Sequence, residues 1–238
     1  MMKTTLTILA LALATSVSAQ ESPLWMRYCA ISPDGSAVAF TYKGDIYTVP
    51  TTGGTARQLT TNAAYDTHPV WSPDSKQLAF CSNREGSMDV YVMQREGGTP
   101  RRLTTNSNSE TPIAFKDNNT VLYTSSVIPS AKSIIFANRM LPQVYEVGTN
   151  GSRPHLFSAL PMMDISIRPN GDLLYHDQKG YEDPWRKHHR SPITRDIWLR
   201  RGGKYTKLTN FNGEDRTPVW AAQGDTFYYL SEEDGTFN

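Results

Sequence analysis

Residues 31–60 read ISPDGSAVAFTYKGDIYTVPTTGGTARQLT, and the same landmarks return in residues 71–104, which read WSPDSKQLAFCSNREGSMDVYVMQREGGTPRRLT. Both stretches contain a Pro-Asp turn, a short apolar run, an Asp-x-Tyr step, a Gly-Gly pair and a Leu-Thr pair. The offset between them is 40 residues at the Pro-Asp turn and 44 residues from the Asp-x-Tyr step onward. Five landmarks in one order indicate a structural repeat of about 40–45 residues.

Weaker copies of the repeat occupy residues 115–151 and 167–209, and a fifth copy begins at Pro218. Pro-Asp-Gly and Gly-Gly suit tight hairpins, because Pro presets φ and Gly accepts positive φ. Each complete copy therefore contains four short strands. A four-stranded unit at this period is typical of a β-propeller blade. The β-branched and aromatic runs, which lack a 3.6-residue period, exclude a helical repeat.

Composition narrows the function classes. The 238 residues include 24 Lys and Arg against 23 Asp and Glu, so the net charge of +1 favours neither nucleic acid nor an anionic membrane. A hydrophobic content of 38% and a charged content of 20% indicate a folded domain rather than a disordered chain. Two cysteines are too few for a disulfide framework or a zinc cage.

The first residues are predicted to be a signal peptide and not part of the fold. Lys3 precedes an apolar run, and small residues at Val17-Ser18-Ala19 suit a signal peptidase, so we expect cleavage after Ala19. The apolar run is shorter than the ~20 residues that span a bilayer. The sequence therefore predicts a periplasmic or secreted protein.

Residues 20–238 are predicted to form an all-β, incomplete propeller, with four complete blades and half of a fifth. The expected blades cover roughly residues 24–62, 63–106, 107–160, 161–212 and 213–238. A blade cut after two strands would expose unpaired backbone along an open edge. We therefore expect this sequence to be the N-terminal part of a longer protein; closure by strand exchange or by a dimer partner is the alternative.

Two long insertions lie on one rim of the propeller, called the loop-rich rim below, and we expect this rim to be the more functional one. In a blade whose strands run outward from the channel, the links between blades and the links from the second to the third strand lie on the same rim. On that rim, blade 3 uses residues 125–142 and blade 4 uses residues 176–195 for a step that takes three residues in blade 1. Loops this long are usually functional or mobile.

The blade 4 insertion supplies the candidate site residues. They could read a peptide terminus or backbone, or they could form a solvated loop that Trp185 braces against the rim. The sequence favours bracing, since exposed charges contribute little. The candidates are Glu182, Asp183, Trp185, Arg186, Lys187, His188, His189 and Arg190.

No catalytic, metal or cofactor motif emerges elsewhere. The adjacent pair His188-His189 lacks the spacing with which one element usually holds a metal, and His68, His155 and His176 fall in different blades. Neither a nucleophile elbow nor a phosphate-binding glycine pattern occurs. Cys29 and Cys81 are expected to be two buried thiols rather than a disulfide. Four acidic residues placed just before inner strands are expected to be structural; they are Asp66, Glu110, Asp164 and Asp215.

The repeats resemble those of TolB-type propellers. The resemblance is carried by the Ser-Pro-Asp turns at residues 32–35 and 71–74, each of which is followed by an Asp-x-Tyr strand and a Gly-Gly turn. The run EDPWRKHH at residues 182–189, which leads into TRDIW at residues 194–198, resembles the first propeller of tricorn proteases. The signal peptide and the opening residues 24–28 fit exported bacterial relatives. This resemblance implies a six-bladed propeller that acts as a gate or access channel for peptides.

The resemblance also implies that catalysis lies in a C-terminal core outside this chain, so no catalytic residue is assigned here. The main hypothesis is the gate or scaffold propeller of an exported tricorn-like serine peptidase. Its partners would be peptides or unfolded proteins and the C-terminal domains, and a homo-oligomer stays open. The alternatives are a non-enzymatic TolB-like binding propeller and a propeller attached to another hydrolase of the prolyl-oligopeptidase type.

Overall fold

The structure is a computed structural model that describes residues 25–127, 142–180, 190–221 and 223–237. Within these ranges the chain forms strands and no helices, in four sheets of four strands and one sheet of two. The expected all-β, incomplete propeller is confirmed. The described residues include no helix of the length and hydrophobicity needed to cross a membrane.

The eighteen strands fall into blades in chain order. Blade 1 holds β1 (Arg27–Ile31), β2 (Ala37–Tyr42), β3 (Asp45–Pro50) and β4 (Arg57–Gln58). Blade 2 holds β5 (Asp66–Trp71), β6 (Gln77–Glu85), β7 (Ser87–Gln94) and β8 (Gly97–Arg102). Blade 3 holds β9 (Glu110–Asp117), β10 (Thr120–Ser125), β11 (Gln143–Gly148) and β12 (His155–Ser158). Blade 4 holds β13 (Met162–Ile167), β14 (Leu173–Asp177), β15 (Ile197–Arg201) and β16 (Lys204–Lys207), and blade 5 holds β17 (Asp215–Trp220) and β18 (Phe227–Ser231).

The core lies between neighbouring blades. Each sheet is antiparallel, and its first strand contacts the first strand of the next blade, from β1 through β5, β9 and β13 to β17. Three apolar clusters fill the joints between blades 1 and 2, 2 and 3, and 3 and 4. The indole of Trp71 adds a polar tie to the first joint, since Nε1 donates to the carbonyl of Ala30 at 2.9 Å. The first strands therefore surround the centre of the molecule.

The repeated landmarks have local physical causes. In the first Ser-Pro-Asp turn, the Ser32 hydroxyl donates to the Asp34 carboxylate at 2.6 Å and accepts from the Ala37 amide at 3.0 Å. In the Leu-Thr pair, the Thr60 hydroxyl accepts from the amide of Ile46 at 3.0 Å. The same bond recurs at Thr104 and Thr209. These side chains satisfy backbone groups that the ladder leaves free at the ends of strands.

The rim opposite the loop-rich rim carries the Pro-Asp and Gly-Gly hairpins and is called the hairpin rim below. Hydrogen bonds and an ion pair on this rim join neighbouring blades. The amide of Asp34 donates to the Ser75 hydroxyl in the next blade, and the amide of Asp74 donates to the Asn118 side chain, both at 3.0 Å. Between blades 4 and 5, Arg168 pairs with Asp225 at 2.9 Å. This rim therefore has a bracing role.

Blade 2 has a longer hairpin than blade 1 between its second and third strands. The sequence predicts a rim loop at residues 83–85, as in the other links from second to third strand, but β6 continues to Glu85 and β7 resumes at Ser87. Only Gly86, with φ 107°, makes the turn. This longer hairpin accounts for the four extra residues between the copies of the repeat.

Candidate functional site

Four first strands contain a residue in the left-handed backbone region where they surround the centre. These residues, called the bulge residues below, are Tyr28, His68, Asp164 and Thr217, with φ between 47° and 55°. Each lies at a register shift of the first strand against the second. Left-handed non-glycine residues cost about 1–3 kcal/mol each and concentrate at functional sites. A bulge re-aims side chains, so its recurrence at the centre marks this region as the candidate site.

The bulge residues of neighbouring blades contact one another in pairs. The rings of Tyr28 and His68 lie 3.6 Å apart, centroid to centroid. The Thr217 hydroxyl donates to Oδ2 of Asp164 at 2.9 Å. Tyr28 is 44% exposed and the Asp164 side chain 49% exposed, so both pairs are open to solvent. In blade 3 the matching strand position is Pro112, whose ring holds φ near −65° and excludes the left-handed region.

His176 joins blade 4 to blade 5 behind the second pair. Its Nδ1 accepts a hydrogen bond from the Thr217 amide at 3.2 Å and lies 3.6 Å from Oδ2 of Asp164. An accepting Nδ1 carries no proton, so the imidazole is neutral with its proton on Nε2. Burial lowers the pKa of His176 to about 4, against the opposing pull of the Asp164 carboxylate. This joint is therefore built around an uncharged histidine.

The Asp164 carboxylate acts on both histidines near the centre. Burial also lowers the pKa of His68, and Asp164 again opposes that shift. Both imidazoles are therefore neutral near pH 7, while Asp164 stays exposed. The sequence separated His68 from His176 because they belong to different blades, but both lie within the electrostatic reach of Asp164. The bulge residues thus offer a carboxylate, a hydroxyl, a neutral imidazole and an aromatic ring to a ligand.

Two of the four acidic residues expected to be structural are bonded as predicted. Arg84 Nη2 donates to both carboxylate oxygens of Asp66, at 3.0 and 2.9 Å, and the Asp66 amide donates to the Gly44 carbonyl of blade 1. Glu110 lies near Thr104 and Asp89 of blade 2, although its Oε2 has no hydrogen-bond partner among the described residues, and burial raises its pKa to about 7. Both residues open their first strands.

The other two differ from the expectation. Asp164 does not precede its strand, because it is the third residue of β13 and belongs to the bulge residues. Met162 occupies the first position instead, where it pairs with Asp177. Asp215 opens β17 and its amide bonds the Arg195 carbonyl, but its carboxylate oxygens have no hydrogen-bond partner among the described residues.

The blade 4 insertion is described only at its ends. The candidates Glu182, Asp183, Trp185, Arg186, Lys187, His188 and His189 lie outside the described residues, and Arg190 is exposed. At the base, Lys179 binds Asp196 and donates to the Thr194 carbonyl at 2.6 Å. Lys207 reaches the other oxygen of Asp196 at 2.9 Å. These bonds hold the two ends of the insertion together on the loop-rich rim.

The cysteines are both free, which excludes the disulfide, but only Cys81 is buried. Cys29 is exposed, so the expectation of two buried thiols is wrong for this residue. It follows Tyr28 in the bulge of β1, and this open side of blade 1 has no neighbouring sheet in the described structure. Burial raises the pKa of Cys81 to about 12, and this shift makes its thiol unreactive. No group of three or more metal-binding side chains occurs among the described residues.

Residues 23–238 match the family model of the tricorn protease N-terminal β-propeller domain. The chain belongs to this family. A curated relative, tricorn protease homolog 1 of Streptomyces coelicolor, is 28% identical over 224 residues, which are 92% of this chain and 20% of that protein. An uncharacterized protein of Agrobacterium fabrum is 41% identical over 64 residues, 25% of this chain and 22% of that protein. The chain thus spans about a fifth of the curated relatives it matches.

Solved structures agree with this family at the level of fold. A tricorn protease crystal structure superimposes with a TM-score of 0.71 at 18% identity, over 91% of this chain and 21% of that one. A TolB protein of Agrobacterium tumefaciens superimposes with a TM-score of 0.56 at 26% identity, over 78% of this chain and 66% of that one. Tricorn propellers and TolB therefore share the blade architecture described here.

The sequence carried no conventional signal for the bulge residues. A left-handed backbone position is usually occupied by glycine, but here the four positions are occupied by tyrosine, histidine, aspartate and threonine. The available signal was positional, because His68, Asp164 and Thr217 are each third in their strands.

Proposed function

We propose that this chain is the propeller portion of an exported tricorn-like serine peptidase and acts as its substrate gate or scaffold. Peptides or unfolded proteins would be the substrates. The chemistry, water attack on a seryl acyl-enzyme, would belong to C-terminal domains outside this chain. Membership of the tricorn propeller family supports this proposal.

The recurring bulge at the centre carries the gate proposal. Four first strands depart from regular geometry at the level where a passing chain would meet them, and each presents a side chain there. Exposed Tyr28 and Asp164 offer an aromatic ring and a hydrogen-bond acceptor, which suit a peptide backbone without demanding one sequence. A gate for varied peptides needs this kind of tolerant surface.

A covalent plug tests the gate. In the full-length protein, Tyr28→Cys with Cys29→Ser would be labelled with a bulky maleimide, and buried Cys81 would not react. We expect labelling to slow hydrolysis of unstructured peptides at least several-fold, because the label fills the channel. The matched control is Thr55→Cys with Cys29→Ser, which places the label at an exposed position between β3 and β4 on the hairpin rim. Equal activity of both labelled proteins would refute the gate.

A TolB-like binding propeller remains the second candidate, favoured by the 26% identity and shared fold with the Agrobacterium tumefaciens protein. The two candidates differ in the full-length protein. A binding propeller would show no peptide hydrolysis at all, labelled or unlabelled, and would retain a protein partner instead. The unlabelled protein therefore separates them before the plug is used.

Export is part of the same proposal and has its own measurement. The small residues at Val17-Ser18-Ala19 suit a signal peptidase. We expect the protein recovered from the periplasm or medium to begin at Gln20, as determined by intact mass. Retention of Met1 or Met2 in that fraction would contradict the proposal.

A further inference from the structure

Blade 2 neutralises a buried carboxylate with a stacked arginine. Asp66 is fully buried, and both of its oxygens accept from Nη2 of Arg84. The guanidinium carbon lies 4.7 Å from the centroid of Tyr91 and 5.5 Å from that of Phe80. Charge pairing and stacking on aromatic faces together suit guanidinium better than ammonium.

Blade 5 repeats part of this framework: Glu233 stands in place of Arg84, and the two described strands offer no counterpart of Tyr91. Asp215 pairs with Ser231 across its ladder as Asp66 pairs with Ser82. Counting along the second strand from these serines places Tyr229 where blade 2 has Phe80, and Glu233 where it has Arg84. The Glu233 amide donates to the Ser231 hydroxyl at 3.2 Å, and the Arg84 amide donates to the Ser82 hydroxyl at 3.3 Å.

The carboxylate of blade 5 therefore keeps its burial and loses its cation. Asp215 is fully buried, and neither of its carboxylate oxygens has a hydrogen-bond partner in the described part of the chain. A buried carboxylate without a partner costs free energy that a counter-charge would recover.

The neighbours add negative charge and leave an aromatic face. Glu214 and Glu232 are buried beside Asp215, and each has one unpartnered oxygen. Arg195 reaches the other oxygen of Glu214 at 3.5 Å, while Arg216 stacks on Phe237 at 3.8 Å. Tyr229 is 36% exposed, so its ring is open to a ligand. The pKa of Tyr229 is raised by burial, and further by the charges of Asp215 and Glu233.

We propose that this part of blade 5, formed by Asp215, Tyr229 and Glu233, binds a guanidinium group. The planar group would stack on Tyr229 and donate to the Asp215 oxygens. In the same way, Arg84 stacks on Phe80 and donates to Asp66 in blade 2, where Tyr91 adds a second ring. The arginine could belong to a bound peptide or to another part of the same protein. Both sources present the same chemistry.

Thermal unfolding of the chain with and without arginine amide tests the site. Arginine amide is expected to raise the melting temperature more than citrulline amide, which has the same shape without the charge. Asp215→Asn should remove the difference, whereas Asp34→Asn, at an exposed turn, should leave it unchanged. An equal effect of the two amides, or an unchanged response in Asp215→Asn, would overturn the proposal.

Glu233→Arg provides an independent gain of function. It places the blade 2 arginine at an exposed position of blade 5, so we expect the melting temperature to rise by about 2–4 °C without ligand. The response to arginine amide should then vanish. An unchanged or lower melting temperature with the response intact would count against the site.

The full-length protein distinguishes the two sources. If a peptide supplies the arginine, the full-length protein should bind an arginine peptide more tightly than its citrulline analogue, and Asp215→Asn should equalise them. If the protein's own arginine fills the site, the full-length wild type should not discriminate between these peptides, although the 238-residue chain still responds to arginine amide.

Discussion

His176 shows how one buried residue can make a blade joint sensitive to acid. Its Nδ1 accepts the Thr217 amide, so protonation would remove that bond and place a charge in a buried joint. Burial lowers its folded pKa from 6.5 to about 4. The unfolded state binds this proton more readily than the folded state does. The contribution of neutral His176 to the stability of the fold is therefore complete above pH 6.5 and is lost as the pH falls towards 4. The shift corresponds to ~3 kcal/mol in the free energy of unfolding.

Urea unfolding of the chain between pH 7 and pH 4 measures this effect. His176→Gln retains an acceptor for the Thr217 amide and removes the titration, so its stability should fall less steeply than that of the wild type. His155→Gln is the control, since His155 is an exposed residue of β12. Glu110 titrates in the same region with the opposite sign, but it is common to all three proteins. Parallel curves for wild type and His176→Gln would rule out this role.

At the scale of the element, the sequence predicted the features that depend on hydrogen bonds between residues close together in the chain. The Ser-Pro-Asp turns, Gly-Gly turns and Leu-Thr pairs satisfy backbone groups within one blade, so the blades could be predicted from their spacing. The bulges could not, because tertiary packing holds residues such as His68 and Thr217 in a conformation that their side chains do not favour. The position predicted for Asp164 was wrong for a separate reason, because its strand begins two residues earlier with Met162.

The sequence also could not predict that the Asp215 carboxylate of blade 5 lacks a hydrogen-bond partner among the described residues. Asp215 was predicted to be structural because it recurs at the start of a first strand, and so does Asp66. Only the structure shows that the Asp66 partner comes from position 84 and that the matching position in blade 5 holds Glu233. Repeats predict which residues are equivalent, while the departure from equivalence gives the proposed guanidinium site of blade 5 its chemistry.

At the scale of the whole molecule, the described part of the chain ends in an open face at blade 1 and another at blade 5. Ile31 on β1 is 67% exposed, and Val219 and Tyr228 in blade 5 are 52% and 74% exposed. Within the described residues, β18 pairs only with β17, so its other edge presents free backbone groups. Apolar side chains beside an unpaired edge favour association with another chain.

We therefore predict that the 238-residue chain associates in a concentration-dependent way, which sedimentation velocity measures directly. Tyr228→Lys should weaken the association at least several-fold, because a lysine on an open edge opposes strand pairing. The matched control is Tyr65→Lys, since Tyr65 is 45% exposed but lies in the link before β5 and not on a strand edge. The control should associate as the wild type does. A chain that stays monomeric across the concentration range, or two variants that weaken association equally, would show that these faces are not the sites of contact.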